Sequence, residues 1–214
     1  MKIKKCALFD FDKTISDRDS LLGFLLFSEG KLGTLLKLLR VTPYVFAYVL
    51  KILPNKVIKK KLFQVFFSDW SVEEFQRHSR EYSQRCIPKI IRDDALRRIF
   101  WHKKKGDRVI VVSATFKEYL QHWCKSYNLE LIATEVHFDL ASSSSTTPQD
   151  KSKDQSIGKS FTINNCYGPE KVSRIKEYLG EREVGENYFY AYGDSDGDRE
   201  MLEFADEGYY RRFS

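Results

Sequence analysis

Lys4-Lys5-Cys6-Ala7-Leu8-Phe9-Asp10-Phe11-Asp12-Lys13-Thr14 stands near the start of the chain and decides how the rest is read. Residues Lys4–Phe9 spell a strand apolar enough to be covered on both faces, as strands of parallel sheets are. Two aspartates follow at once. In open α/β sheets the ligand site lies beyond the carboxyl ends of the strands, where catalytic carboxylates are expected. Asp is also common in turns, so the pair by itself admits the plainer reading of a strand end.

Outward from this stretch the pattern divides into a helical insert and an α/β remainder. Asp19–Glu29 begins with an N-cap and ends at Gly30. Lys31–Leu53 is apolar and helical with a kink expected at Pro43, and Asn55–Phe67 follows. Ser71-Val72-Glu73-Glu74 is a capping box opening a helix to about Arg85, and Pro88 closes the insert. From Asp94 helices and β-branched strands alternate: Asp94–Lys104, then strand Arg108–Val112, then a second capping box at Thr115-Phe116-Lys117-Glu118 opening a helix to about Tyr127. Strand Leu131–Val136, helix Gly168–Leu179, strand Asn187–Tyr192, helix Asp198–Phe204 and strand Gly208–Arg211 complete the series. Strands separated by helices predict a Rossmann-like parallel sheet with helices on both faces. Ala141–Lys159, rich in Ser, Thr, Lys and Asp without periodicity, reads as a mobile loop.

Three further motifs stand at strand ends or helix starts. Val112-Ser113-Ala114-Thr115 runs from a strand into a helix, and a hydroxyl backed by helix amides suits a phosphate oxygen. There Thr115 reads as the N-cap and Ser113 as the group left for a ligand. Lys171 lies in the first turn of a helix, against the helix dipole, which is slightly unfavourable and invites a functional explanation. Tyr192-Gly193-Asp194-Ser195-Asp196-Gly197-Asp198 sets three aspartates at a strand end, with glycines that allow close backbone approach, a donor set suited to a hard cation. It is no EF-hand loop, because no Glu closes it and a strand precedes it.

Composition bounds these readings. The 214 residues allow one large domain or a core with a smaller insert, at roughly 100–200 residues per domain. Hydrophobic residues at 42% and charged residues at 31% exclude a disordered or collagen-like chain. The net charge of +6 favours anionic partners but is weak support for nucleic-acid binding. Cys6, Cys86, Cys124 and Cys166 form no Cys-x-x-Cys pair, so reduced thiols and a cytoplasmic location are expected. The apolar run before Asp10 is too short for a signal-peptide core. Lys37, Arg40, Pro43 and Lys51 interrupt Leu35–Leu53 where a spanning helix needs about 20 largely uncharged residues.

Taken together, the order and placement of these motifs resemble the haloacid dehalogenase superfamily of aspartate-nucleophile hydrolases, and within it the phosphoserine-phosphatase-like branch. Asp10-Phe11-Asp12-Lys13-Thr14 matches the first family motif, Ser113 the second, Lys171 the third, and Asp194 with Asp198 the fourth. The resemblance covers essentially the whole chain, including Asn164-Asn165-Cys166-Tyr167-Gly168-Pro169-Glu170-Lys171-Val172. It implies an α/β core of residues 1–15 and 91–214 with an all-helical cap, residues 16–90, inserted after the first motif. It further implies a Mg²⁺-dependent phosphomonoester hydrolase in which Asp10 is the nucleophile forming an aspartyl-phosphate. Asp12 would be the acid and base, Ser113 and Lys171 would hold the phosphoryl oxygens, and Thr14 would steady the motif by hydrogen bonding beside the phosphate. Asp10, Asp194 and the backbone carbonyl of Asp12 would bind Mg²⁺, with Asp198 orienting that shell. A small phosphorylated substrate is the implied partner, and no nucleic acid. The chemistry agrees in magnitude. A carboxylate approaching a phosphate dianion meets a repulsion of about 4 kcal/mol per charge pair at 4 Å and an effective dielectric near 20. A helix N-terminus offsets only ~0.3–2 kcal/mol, so a cation and a lysine are required. Asp12 favours a phosphatase over the dehalogenases and carbon–phosphorus hydrolases, which lack the second aspartate.

Two departures bear on the substrate. Asp19 stands where phosphoserine phosphatases place a Glu that meets the substrate amine, and Gly197 stands where they place an Asn. The insert also couples apolar stretches, Leu21–Phe27 and Leu35–Leu53, to Lys56, Lys59, Lys60 and Lys61. Either these helices pack together and the lysines are solvated, or they bind an anionic membrane surface. The second reading would fit a lipid phosphomonoesterase of the phosphatidylglycerophosphatase type. A basic membrane- or RNA-binding module without turnover is the reading from another class, and it would leave the carboxylate set unexplained.

Overall fold

The computed structural model describes residues 4–138 and 161–213, so the stretch read as a loop, Ala141–Lys159, lies outside the described residues. Six strands form one sheet: β1 (Lys4–Phe9), β2 (Arg108–Phe116), β3 (Glu130–Phe138), β4 (Phe161–Asn164), β5 (Asn187–Gly193) and β6 (Glu207–Tyr210). Their order is β4-β3-β2-β1-β5-β6, with β4 antiparallel to β3 and every other pairing parallel. The helices are α1 (Ser20–Val49), α2 (Asn55–Phe67), α3 (Val72–Arg85), α4 (Asp93–Lys104), α5 (Lys117–Ser126), α6 (Pro169–Glu186) and α7 (Arg199–Phe204).

Strand alternation builds the two cores. Ala7, Phe9, Val109, Val111, Tyr190 and Tyr192 share one face of the sheet, under Ala95 and Ile99 of α4 and Leu120 and Trp123 of α5. Cys6, Leu8, Ile110, Val112, Phe189 and Ala191 share the other, under Ile175 and Leu179 of α6 and Met201 of α7. The chain goes from β1 across to β2 and β3 on one side and returns to β5 and β6 on the other. That reversal makes β1 the switch point beside which α/β sheets bind ligands.

Helices α1 to α3 are inserted between β1 and α4. The chain leaves and re-enters side by side: Ser16 bridges to Ile91, the Asp17 N–H donates to the Ile90 carbonyl at 2.7 Å, and the Arg92 N–H to the Ile15 carbonyl at 2.8 Å. Phe24, Phe63, Phe67, Phe75 and Tyr82 are buried between the three helices, and the cluster runs on into the sheet core. Ring centroids lie 4.7 Å apart for Phe63 and Phe161, 5.0 Å for Phe24 and Tyr119, and 5.6 Å for Phe63 and Phe116. Each fully buried aromatic side chain contributes roughly 1.5–3 kcal/mol against about 1 kcal/mol for a hydrogen bond. The aromatic seam therefore dominates the attachment of the insert.

Several local expectations need correction. The capping box at Ser71 forms, with the Glu74 N–H on Ser71 Oγ at 3.0 Å and the Ser71 N–H on the Glu74 carboxylate at 2.9 Å. The one at Thr115 does not, because β2 continues to Phe116 and α5 begins only at Lys117. Thr115 Oγ1 instead bonds to Ser20 Oγ and the Tyr119 hydroxyl, while Glu118 accepts from the Val136 N–H. In α1 only Gly30 leaves helical dihedrals, at φ +69°; the backbone stays helical through Pro43. Glycine tolerates that left-handed conformation, which a side chain would resist. Helix α6 likewise continues past Leu179, through a break at Gly180, to Glu186. Strand β4 escaped the sequence pattern, and as an antiparallel edge strand it departs from the all-parallel expectation.

Candidate active site

β1, β2 and β5 are neighbours in the sheet, and their carboxyl ends bring the motif residues together. Asp10 follows β1 directly, its N–H donating to the Tyr192 carbonyl at 2.9 Å. A tight turn over Phe11–Ile15 comes next, closed by the Ser16 N–H on the Phe11 carbonyl, with Lys13 in the left-handed region at φ +60°. That turn places Asp12 back toward the strand ends, where its Oδ1 accepts the Ser20 N–H at 2.7 Å, at the start of α1. Asp10, Asp12, Asp19, Ser113, Tyr167, Lys171, Asp194 and Asp198 line one cavity of about 170 Å³.

Lys171 is the electrostatic centre. Its side chain is 1% exposed, and Nζ donates to Asp10 Oδ1 at 2.7 Å, Asp198 Oδ1 at 2.6 Å and the Val112 carbonyl at 2.8 Å. The sequence left a solvated lysine open here; the structure buries it. Burial opposes the charge on Lys171, but the carboxylates of Asp10 and Asp198 outweigh it and hold the ammonium above its usual range. The second oxygen of Asp198 accepts the Ser195 hydroxyl at 2.8 Å and the backbone N–H groups of Asp194 and Ser195. Burial disfavours that charge too, yet Lys171 and these donors hold Asp198 below the usual carboxylate range. Asp198 is thereby a fixed anchor for the Asp194 loop.

The nucleophile candidate is less fully compensated. Burial raises Asp10 to about 8; Lys171 opposes the shift, and Asp198 and Asp12 add to it. Burial, then the nearby Asp19, raises Asp12 to about 7, against the Ser20 hydrogen bonds. A carboxyl group poised near neutrality beside a cavity suits acid–base work. Asp194 is also raised, by burial and then by Asp198. Lys171 bonds two of these aspartates, Lys13 acts on Asp194 more strongly than Lys171 does, and carboxylate oxygens of Asp10, Asp194 and Asp198 lie within 4.8 Å of one another. An all-oxygen, charge-deficient donor set of this kind fits a hard divalent cation such as Mg²⁺.

Glycines permit this closeness. A Cβ at Gly193 would lie 2.5 Å from Asp198 Cβ, and one at Gly197 2.4 Å from the Tyr167 ring. Gly197 therefore makes room for Tyr167 in the cavity wall.

Other predicted residues fare differently. Ser113 is buried and its Oγ accepts the Thr115 N–H at 3.1 Å, which leaves the hydroxyl proton to donate to a ligand. Asp19 lines the cavity and also caps α1, accepting the Leu22 N–H at 2.9 Å. Thr14 is buried but its hydroxyl has no hydrogen-bond partner among the described residues, so it does not steady the motif in the way expected. Lys59, read as a surface lysine, turns inward: Nζ donates to the Ala114 carbonyl and to Asn165 Oδ1, each at 2.5 Å. Burial lowers it to about 8, partly countered by Cys166 and Asp12. Nothing in Lys59-Lys60-Lys61 distinguishes the inward lysine, because the seam it crosses is built by distant segments.

Comparison with known proteins agrees with this architecture. Protein CicA of Caulobacter vibrioides is 29% identical over 206 residues, 96% of this chain and 85% of its own length. A protein of unknown function from Bordetella pertussis Tohama I shares the fold with a TM-score of 0.74 at 20% identity, over 94% of this chain and 87% of that one. A substrate-bound phosphoserine phosphatase complex does so at 0.62 and 18%, over 98% and 86%. At such identities these structures speak for the fold. The sequence model of the haloacid dehalogenase-like hydrolases matches residues 7–203, nearly the whole chain, and the chain belongs to that family of enzymes.

Proposed function

We propose that this hydrolase is a Mg²⁺-dependent phosphomonoesterase working through an aspartyl-phosphate. The observation that carries the reading is Lys171, wholly buried and bonded to both Asp10 and Asp198 at the mouth of β1. An Asp10 oxygen attacks phosphorus, the bond to the ester oxygen breaks, and Asp12 delivers a proton to the departing alkoxide. Asp12 then takes a proton from water as that water attacks phosphorus, which frees inorganic phosphate and restores Asp10. Ser113 donates to a phosphoryl oxygen, where a preorganised donor is typically worth about 10²–10³-fold. Lys171, whose three N–H groups go to Asp10, Asp198 and the Val112 carbonyl, would place its charge beside the phosphoryl group and reach an oxygen of it by giving up one of those bonds. Asp10, Asp194 and the Asp12 carbonyl would hold the cation, with Asp198 fixing the Asp194 loop; when bound, the ion supplies the positive charge that one lysine cannot.

A small phosphomonoester suits the cavity of about 170 Å³, and Asp19 on its wall would meet a cationic group of the substrate. A lipid phosphomonoester is the second reading. It is favoured by Tyr48, on the apolar helix α1, which hydrogen-bonds Tyr167 of the cavity wall. Asp10→Asn is expected to abolish hydrolysis of an aryl phosphate, and chelation of Mg²⁺ to do the same reversibly. Full turnover in either case would sink the mechanism. A panel of phosphoserine, sugar phosphates and lipid phosphates would separate the substrate classes.

A further inference from the structure

We propose that the outer face of α1 beyond Gly30 docks the protein onto an anionic lipid surface, lying in its plane. From Gly30 to Val49 the helix is roughly 30 Å long at 1.5 Å per residue. Thr34 and Val41 are buried on its inner side, and Lys37 folds back to Glu29 at 2.8 Å and the Phe66 carbonyl at 3.0 Å. The outer side is where a helix of a globular protein carries polar residues. Here Leu32, Leu36, Leu39, Phe46 and Leu50 recur at helical spacing, each 53–70% exposed. A continuous apolar stripe of that length on a charged protein marks an interaction surface.

Charge selects the occupant. Residues 20–67 contain eight Lys or Arg and a single acidic residue, Glu29, a net +7 against +6 for the whole chain, with Lys59 turned inward and Lys37 paired to Glu29. Exposed Lys31, Arg40 and Lys51 stand at the start, middle and end of the stripe. A second copy docked face to face would bring these like charges together, which disfavours a dimer. An anionic bilayer satisfies both features, taking the leucines among its acyl chains and the basic groups at its phosphates. No helix among the described residues is long and apolar enough to cross a membrane, so the contact is interfacial. Tyr48, on the same helix, bonds Tyr167, and docking would therefore set the cavity beside the lipid headgroups.

Sedimentation of the full chain with phosphatidylcholine vesicles, with and without phosphatidylglycerol, tests the proposal independently of turnover. Binding is expected only with phosphatidylglycerol, weakening as salt is raised. Leu36→Glu, Leu39→Glu and Phe46→Glu combined should abolish it while circular dichroism and hydrolysis of a soluble aryl phosphate stay as in the parent. Arg40→Ala and Lys51→Ala should each lower the partition about fivefold, and they remain informative if the triple variant fails to fold. No sedimentation with either vesicle overturns the proposal. So does a dimer, seen by light scattering, that the triple variant dissociates.

Discussion

Replacing Lys171 by Met removes the buried ammonium while keeping most of the side-chain stem. In the native protein Nζ sits 2.7 Å from Asp10 Oδ1 and 2.6 Å from Asp198 Oδ1, with 1% of the side chain exposed. Its loss leaves two buried carboxylates facing one another and the Val112 carbonyl without this donor. Breaking a buried pair in this way typically costs about 3–5 kcal/mol, because the remaining charge is uncompensated. For a chain of this size each kcal/mol moves Tm by roughly 2–4 °C, so a fall of about 6–20 °C is expected in metal-free buffer at pH 8. The pH dependence follows from linkage. Without the lysine one carboxylate retains a proton in the folded state well above the pH at which it would lose it unfolded. The folded state then binds more protons across that window, and its stability falls as pH rises from 5 to 8. The variant should therefore be closest to the parent at pH 5. Adding Asp198→Asn removes one of the two facing charges and should restore more than half of the loss. Aryl phosphate hydrolysis should drop by about 10²–10³-fold or more. Thermal denaturation at pH 5 and pH 8 decides. A loss below about 1 kcal/mol at pH 8, or the same loss at both pH values, would refute the electrostatic account of the site.

Two further substitutions probe the surroundings. Glu118 accepts the Val136 N–H at 3.1 Å through one oxygen, while the other is buried without a partner, and burial raises its carboxyl to about 7. Because the folded pKa lies above the unfolded one, this group's contribution to stability declines as pH rises from about 4.5 through 7. Glu118→Gln keeps the acceptor and carries no charge; at pH 8 it should gain about 1–2 kcal/mol, discounted for partial exposure, and at pH 4 almost nothing. An unchanged or lower Tm at pH 8 would contradict that. Lys59→Met cuts the tie from α2 to the Ala114 carbonyl and Asn165, although Thr134 still bonds to both acceptors. Amide hydrogen exchange in α2 should accelerate relative to β1 and β2, whereas equal protection would show that the aromatic seam alone holds the insert.

The parts of this protein legible in its sequence are those governed by neighbours along the chain. The strand before Asp10, the capping box at Ser71 and the glycines at 193 and 197 each declare themselves through local periodicity, a four-residue motif or a steric need. Where a residue answers to a distant partner, local reading fails. Thr115 looks like a helix cap until Ser20 and Tyr119 claim its hydroxyl. Lys59 looks solvated until the seam closes over it. Thr14 looks like a hydrogen-bonding group, yet no described residue reaches it.

The sequence by itself determined the parallel core of the sheet, though not its antiparallel edge strand, the order of the motifs and the carboxylates available for chemistry, because these depend on residue type and short spacing. Tertiary structure alone decided how their charges are shared. Lys171 lies 161 positions from Asp10 along the chain, and only the adjacency of β2, β1 and β5 brings one buried ammonium between two aspartates. At that separation the chain carries no local signal of the contact, while burial of the ammonium strengthens its attraction to both carboxylates.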